Sequence, residues 1–366
     1  MTPTASSDVS PLLKRSASTG MRSASTARLA RSARTPRTSL TMLARSSVTR
    51  IPPDSLDDDG GSAGESGYCN IRPEALTTQS RKREMSLAEF RQALGSSSVR
   101  WPGALDGLYF DSPFFSALVT SVSDYLGTSV YDSAEAELSA PPAIAFANVE
   151  RSGYAASFPQ LLGLVSTRES QQEHPDSVAL APTACYHVYP LFASGALPIG
   201  APIDVENWCF RNEMSRDPFR MVTFRMRENV FVGKPSDVDR WVAEVQGAGT
   251  AALARLGLDV SLEAASDPFF GETARLMTAS QLNQGLKHEF QIELPETRVA
   301  LGSTNRHLDH MTHSFGIGAP EDGLHSACIG FGLERVALAL LYGHGLGVSD
   351  WPPDVRELLD AGALAR

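Results

Sequence analysis

Residues 208–232 read WCFRNEMSRDPFRMVTFRMRENVFV. In the second half Val222, Phe224, Met226, Val230 and Val232 fall on every second position, the period of a strand with one buried face. Glu228 stands on that same face. A carboxylate among apolar side chains needs an arginine, a metal or a bound proton to be tolerated, so Glu228 has a specific partner to find. In the first half Arg211 and Glu213 share a face. The six residues Met214 to Phe219, with Asp217-Pro218 among them, turn the chain back on itself. The reading is an antiparallel hairpin, which supports antiparallel pairing in the sheet it belongs to. An ordinary surface hairpin with salt bridges would satisfy the same periodicity.

Outward from the hairpin, the pattern is globular from Met85 to the end. Pro113 to Tyr125 predicts a helix with Phe114, Leu118, Val122 and Tyr125 on one face. A second helix is predicted from a Ser236 cap through Val238, Trp241, Val242 and Val245, opening a helical insertion at about 233–285 between two strand-rich regions. Gly330-Phe331-Gly332 lacks the third glycine of a dinucleotide fingerprint, so close backbone packing accounts for it better than a phosphate loop. The run from Ser303 to His310, with His313, holds side chains that suit divalent ions but also suit a polar loop. Lys287 and Glu289 fit a surface-charge role as well as a role in a site.

The 366 residues are 42% apolar and 20% charged, enough for a sizeable core. No run of eighteen uncharged apolar residues occurs, so no membrane span is expected. Cys69, Cys185, Cys209 and Cys328 are too few and scattered for a disulfide scaffold, and read as reduced thiols of a cytoplasmic protein. Net charge is −10, but residues 1–50 carry nine bases and one acid. The remaining 316 residues are therefore at −18, a poor surface for a long polyphosphate partner. Segment 1–84, rich in Ser, Arg and Ala, has no apolar period and is expected to be a disordered tail. Its composition also suits an organellar transit peptide, or a start assigned too far upstream.

Phe210-Arg211-Asn212-Glu213, then Arg220, Phe224 and Glu228, resembles motif 2 of the class II aminoacyl-tRNA synthetases. Gly330-Phe331-Gly332-Leu333-Glu334-Arg335, followed by an apolar helix, resembles their motif 3. The resemblance spans roughly residues 100 to 350 and implies an α+β domain built on an antiparallel sheet with flanking helices, together with amino-acid adenylation. In that chemistry charge builds on phosphate oxygens, and the planar fork of arginine stabilises it through paired hydrogen bonds. It further implies Arg211 and Arg335 as the catalytic pair. Arg211 would hold the α-phosphate and the substrate carboxylate, Arg220 and Arg335 the outer phosphates, Phe224 the adenine ring, and Glu213 its amino group.

Neighbouring segments resemble the zinc-dependent atypical seryl-tRNA synthetases in particular. Ser157-Phe158-Pro159 stands where those enzymes carry a Pro-containing strand, and Pro182-Thr183-Ala184-Cys185 where seryl enzymes carry a substrate loop. Cys185, Glu228 and Cys328 then match the zinc set, with one coordination position left for an amino group. The resemblance also implies ATP with magnesium, and Ser303 and Asn305 as contacts to the amino acid or to that magnesium. Ala300 stands where a magnesium-binding Glu is usual, which leaves Glu293 as the substitute. Without a basic tRNA-binding module, the folded part is most similar to the amino acid:[carrier protein] ligases. That family loads glycine or alanine onto the phosphopantetheine thiol of an acyl or peptidyl carrier protein. A homodimer formed through a degenerate motif 1 between Pro113 and Phe146 is also implied, with tRNA not the acceptor. A seryl-type tRNA ligase and a non-catalytic synthetase paralogue are the alternatives.

Overall fold

The hairpin becomes the centre of a seven-stranded sheet. The computed structural model describes residues 85–166, 177–272 and 274–360. The tail expected over 1–84 lies outside the described residues, as does Cys69. The strands are β1 (Ala136–Ser139), β2 (Ile203–Phe210), β3 (Thr223–Gly233), β4 (Ser261–Ala264), β5 (Lys287–Leu294), β6 (Thr297–Leu308) and β7 (His325–Gly332). Their order across the sheet is β1-β2-β3-β7-β6-β5-β4. Only the β1–β2 pair at one edge is parallel. All other neighbours are antiparallel.

Register decides which side chains meet. Directly opposed residues point to the same side of a sheet. Gly330 lies opposite Glu228, Ser303 opposite Gly330, and Glu289 opposite Ser303. One row further on, Val230, Cys328, Asn305 and Lys287 align in the same way. Residues from four strands therefore share the face on which the lone carboxylate Glu228 was expected.

The other face carries the helices. These are α1 (Pro113–Ser129), α2 (Pro235–Arg255) and α4 (Leu333–His344); α3 (Ala274–Asn283), between β4 and β5 in the chain, is not among them, and its Gln281 hydrogen-bonds Asp267. Ser112 caps α1 by accepting the Phe115 N–H at 3.1 Å, and Pro113 sits at its first position. The buried stripe is Phe115, Leu118, Val119, Val122, Tyr125 and Leu126, so Phe115 takes the place expected for Phe114, which is only half-buried. Helix α2 begins at Pro235, with Lys234 before it and no side-chain cap. Ser236 is not its cap, because the proline already presets the first turn two residues on from the β3 end. Val238, Trp241, Val242 and Val245 are buried as expected. Leu333, Val336, Leu338, Leu340 and Leu341 bury α4 almost completely. At about 1.5–3 kcal/mol for each large apolar side chain, this fixes the element that carries Arg335.

Arg227 points to the helix face and is buried. Its guanidinium pairs with Asp204 at 2.5 Å, and a methyl at Gly127 would sit 2.6 Å from it. The missing Cβ is what lets α1 close over this ion pair.

Two local expectations fail. The turn between β2 and β3 runs from 211 to 222, longer than Met214–Phe219, so Arg211 and Glu213 sit on a loop and not on the strand. Ser157 ends a short helix, Tyr154–Ser157, and Phe158-Pro159 follow in a turn where a strand was expected. Gly153, at φ 79°, sets the start of that turn of helix.

Candidate active site

A cavity of about 560 Å³ opens over the Glu228 face. Its walls come from the β2–β3 loop, the four strands β3, β5, β6 and β7, the turn at Thr183–Tyr186 and the segment 266–268. Arg211, Glu213, Arg220, Phe224, Cys185, Glu228, Ser303, Asn305, Cys328 and Arg335 all line it. These ten residues, all named from the sequence, reach one space; Glu293 does not.

Cys185, Glu228 and Cys328 offer ligand atoms that lie within 4.8 Å of one another, and all three residues are buried. The Glu228 carboxylate accepts the Thr183 hydroxyl, the Ala184 N–H at 2.7 Å and the Cys185 N–H at 3.3 Å. Burial, with the nearby Cys328, still pushes its pKa up. Burial likewise raises the Cys185 thiol, whereas Cys328 is held well below the usual thiol range by its hydrogen bond with Cys185. Two sulfurs and one carboxylate, gathered in a buried pocket with no lysine or arginine closing the set, fit a zinc ion by donor chemistry.

The arginines converge on the cavity from two elements, the β2–β3 loop and α4. Arg211 donates from Nε to the Pro182 carbonyl at 3.1 Å and lies over the Phe224 ring, 5.3 Å from its centroid. Arg220 pairs with Glu213 at 3.3 Å. Arg335 donates to the Phe219 carbonyl at 2.8 Å and the Ala300 carbonyl at 2.9 Å. Burial, together with the like charges of Arg211 and Arg220, lowers the Arg335 pKa to about 10. Cations crowded enough to disfavour each other's charge are poised for a polyanion. Beneath them Glu334, wholly buried, accepts both the Arg225 N–H at 2.7 Å and its Nε–H at 3.0 Å. This ties β3, which carries Phe224 and Glu228, to the first turn of α4.

Three residues had other expectations. Lys287 and Glu289 are not surface charges: Lys287 is buried, held by Asp267 at 2.5 Å and Glu289 at 3.0 Å, and both line the cavity. Glu293 is exposed, paired with Arg298 at 2.6 Å, and outside the cavity, so it does not replace the carboxylate missing at Ala300. Asp267 and Tyr154 also line the cavity. They come from irregular or short segments with no periodic pattern, and nothing in the sequence marked them.

The fold is that of a class II aminoacyl-tRNA synthetase catalytic core. The structure of Methanopyrus kandleri seryl-tRNA synthetase in complex with Aquifex aeolicus tRNASec superposes with a TM-score of 0.64 at 21% identity, over 77% of this chain and 62% of that one. No protein-family model matches the chain. It is 36% identical over 283 residues to amino acid–[acyl-carrier-protein] ligase 1 of Bradyrhizobium diazoefficiens, covering 69% of this chain and 85% of that protein. Ligase 2 of the same organism is 38% identical over 248 residues, 60% of this chain and 73% of that one. The chain belongs to the amino acid–[acyl-carrier-protein] ligase family, and is an enzyme of the ligase class.

Proposed function

We propose that the protein activates a small amino acid, glycine or alanine, as its adenylate and transfers the aminoacyl group to the phosphopantetheine thiol of a carrier protein. The observation that carries the reading is the 85% coverage of a named amino acid–[acyl-carrier-protein] ligase by this chain. The joining of Arg211, Arg335 and the Cys185–Glu228–Cys328 group in one cavity supports it.

In the first half-reaction a substrate carboxylate oxygen attacks the α-phosphorus of ATP, and pyrophosphate leaves. Arg211 holds the carboxylate against the α-phosphate, while Arg335 and Arg220 take charge on the departing phosphates. Phe224 offers its ring to adenine and Glu213 accepts from the adenine amino group. Ser303 and Asn305 form the wall beside the amino acid. No protein nucleophile is required. In the second half-reaction the thiol sulfur attacks the acyl carbonyl carbon and AMP leaves. Zinc held by Cys185, Glu228 and Cys328 would supply a coordination position for the substrate's α-amine. Magnesium enters with ATP. The chain acts as a homodimer, and tRNA is not its acceptor.

Amino-acid-dependent ATP–pyrophosphate exchange tests the reading. Exchange with glycine or alanine exceeding that with serine is expected. Exchange with serine alone favours a seryl-type tRNA ligase. No exchange with any amino acid makes the chain a non-catalytic paralogue.

A further inference from the structure

Strands β6 and β7 lose register at one point. Arg306 pairs with Ala327 and Leu308 with Ser326, so His307 is the extra residue of a β-bulge. Leu308, just after it, adopts φ 51°, a left-handed conformation that costs a branched side chain on the order of 1–2 kcal/mol. Bulges of this kind re-aim a side chain, and strain kept in a fold points to a use for the side chain it aims.

The side chain so aimed is the His307 imidazole, whose Nε2 lies 3.7 Å from the Cys328 sulfur. Its Nδ1 faces the Tyr189 hydroxyl at 3.1 Å and the Ser326 hydroxyl at 3.3 Å. Tyr189 is fully buried, packed edge-on to the imidazole and stacked on Phe315, so it has little freedom to turn away. A Cys328 thiolate needs donors, and only the Nε2–H tautomer supplies one. Nδ1 is then an acceptor, satisfied by the Tyr189 O–H. The Asn305 amide is a second donor, also 3.7 Å from the same sulfur. The Cys185 sulfur has the Thr183 hydroxyl at 3.6 Å.

We propose that His307, fixed by Tyr189, is a positioning residue that donates a hydrogen bond from Nε2 to the Cys328 thiolate and sets how strongly that sulfur binds the metal. The proposal rests on the zinc reading above. Groups that orient a ligand from behind typically change metal affinity by about 10–100-fold when removed.

The test is cobalt(II) titration of the purified full chain, with a chromophoric chelator in competition. His307→Phe keeps a ring in the space but removes the donor. It should weaken cobalt binding by about 10–100-fold and shift the thiolate-to-cobalt absorption band, while the stoichiometry at saturation is unchanged. His307→Gln places an amide N–H near the Nε2 position and should recover most of the affinity. If the Phe variant does not fold, Tyr189→Phe carries the test, with a smaller loss and the same band shift. A wild-type protein that takes up no cobalt overturns the zinc reading and this proposal with it. A wild type that binds cobalt, with variants of identical affinity and spectrum, overturns this proposal alone.

Discussion

Gly330→Ala places a methyl group where the structure has no room for one. The added Cβ would lie 2.7 Å from Cγ and 3.3 Å from Cδ of Glu228, and 3.4 Å from the Met226 methyl. Gly330 is not in the left-handed region, so the backbone accepts alanine and the whole cost is packing. Relief requires Glu228 to move. Its carboxylate is held by the Ala184 and Cys185 N–H groups as well as the Thr183 hydroxyl. Losing one hydrogen bond to a charged acceptor costs about 1.5–3 kcal/mol, and overpacking a full site about 1–3 kcal/mol. Because moving Glu228 replaces the clash with the lost bond, we expect a total of about 2–3 kcal/mol. If that cost falls on the metal-binding arrangement, zinc affinity drops by about 30–150-fold, at 1.4 kcal/mol per factor of ten. Gly332→Ala, two residues along the same motif, is the internal control. Its Cβ would meet only the Arg335 stem, at 3.6 Å or more, and should cost no more than about 1 kcal/mol. Urea unfolding with and without zinc, and chelator competition, measure both variants. Wild-type stability and affinity in Gly330→Ala, or equal damage from Gly332→Ala, would refute the packing argument.

Other outcomes follow from the same contacts. Arg211→Ala should reduce amino-acid-dependent pyrophosphate exchange by well over tenfold; a smaller loss, under about 1.4 kcal/mol, contradicts its place on the α-phosphate. Glu334→Ala strips the buried partner from Arg225 and should destabilise the fold by about 3–5 kcal/mol in thermal or urea unfolding, with Glu334→Gln milder. For pH, burial raises both Glu228 and Cys185, so each gives up its proton at a higher pH than an exposed group of its kind. The stability that Cys185 contributes to the metal-free protein is then present below about pH 8.5 and lost as pH rises through its raised folded value. Zinc reverses this, since its ligands must lose protons to bind. Affinity should rise with pH, and acid should release the metal above the ordinary glutamate range of about 4.3. Zinc retention that does not change between pH 4 and 8 would contradict it.

Strands β2 and β3 were legible because alternation survives in the sequence, and Glu228 announced itself by breaking that alternation. The two arginines and Phe224 were legible through motif order. Why Cys185 and Cys328 meet Glu228 was not, because 43 and 100 residues of chain separate them from Glu228, and only cross-strand register and the turn at Ala184 close those gaps. The β2–β3 loop was read too short because Arg211 and Glu213 continue a two-residue period after the last ladder bond, at Phe210 with Thr223. Lys287 looked like an exposed charge because its partner, Asp267, lies on a segment that follows no repeat. His307 was read with its histidine neighbours as a polar run. The bulge that singles it out is a property of pairing between two strands and leaves no trace in one.

Thioester formation tests the central claim most directly. The purified chain, ATP, magnesium, glycine or alanine and a phosphopantetheinylated carrier protein should yield an aminoacyl-carrier species whose bond is cleaved by hydroxylamine, with none formed on the carrier lacking its phosphopantetheine arm. Charging of tRNA with serine under the same conditions, with the carrier left unmodified, would contradict the account and make the protein a tRNA ligase.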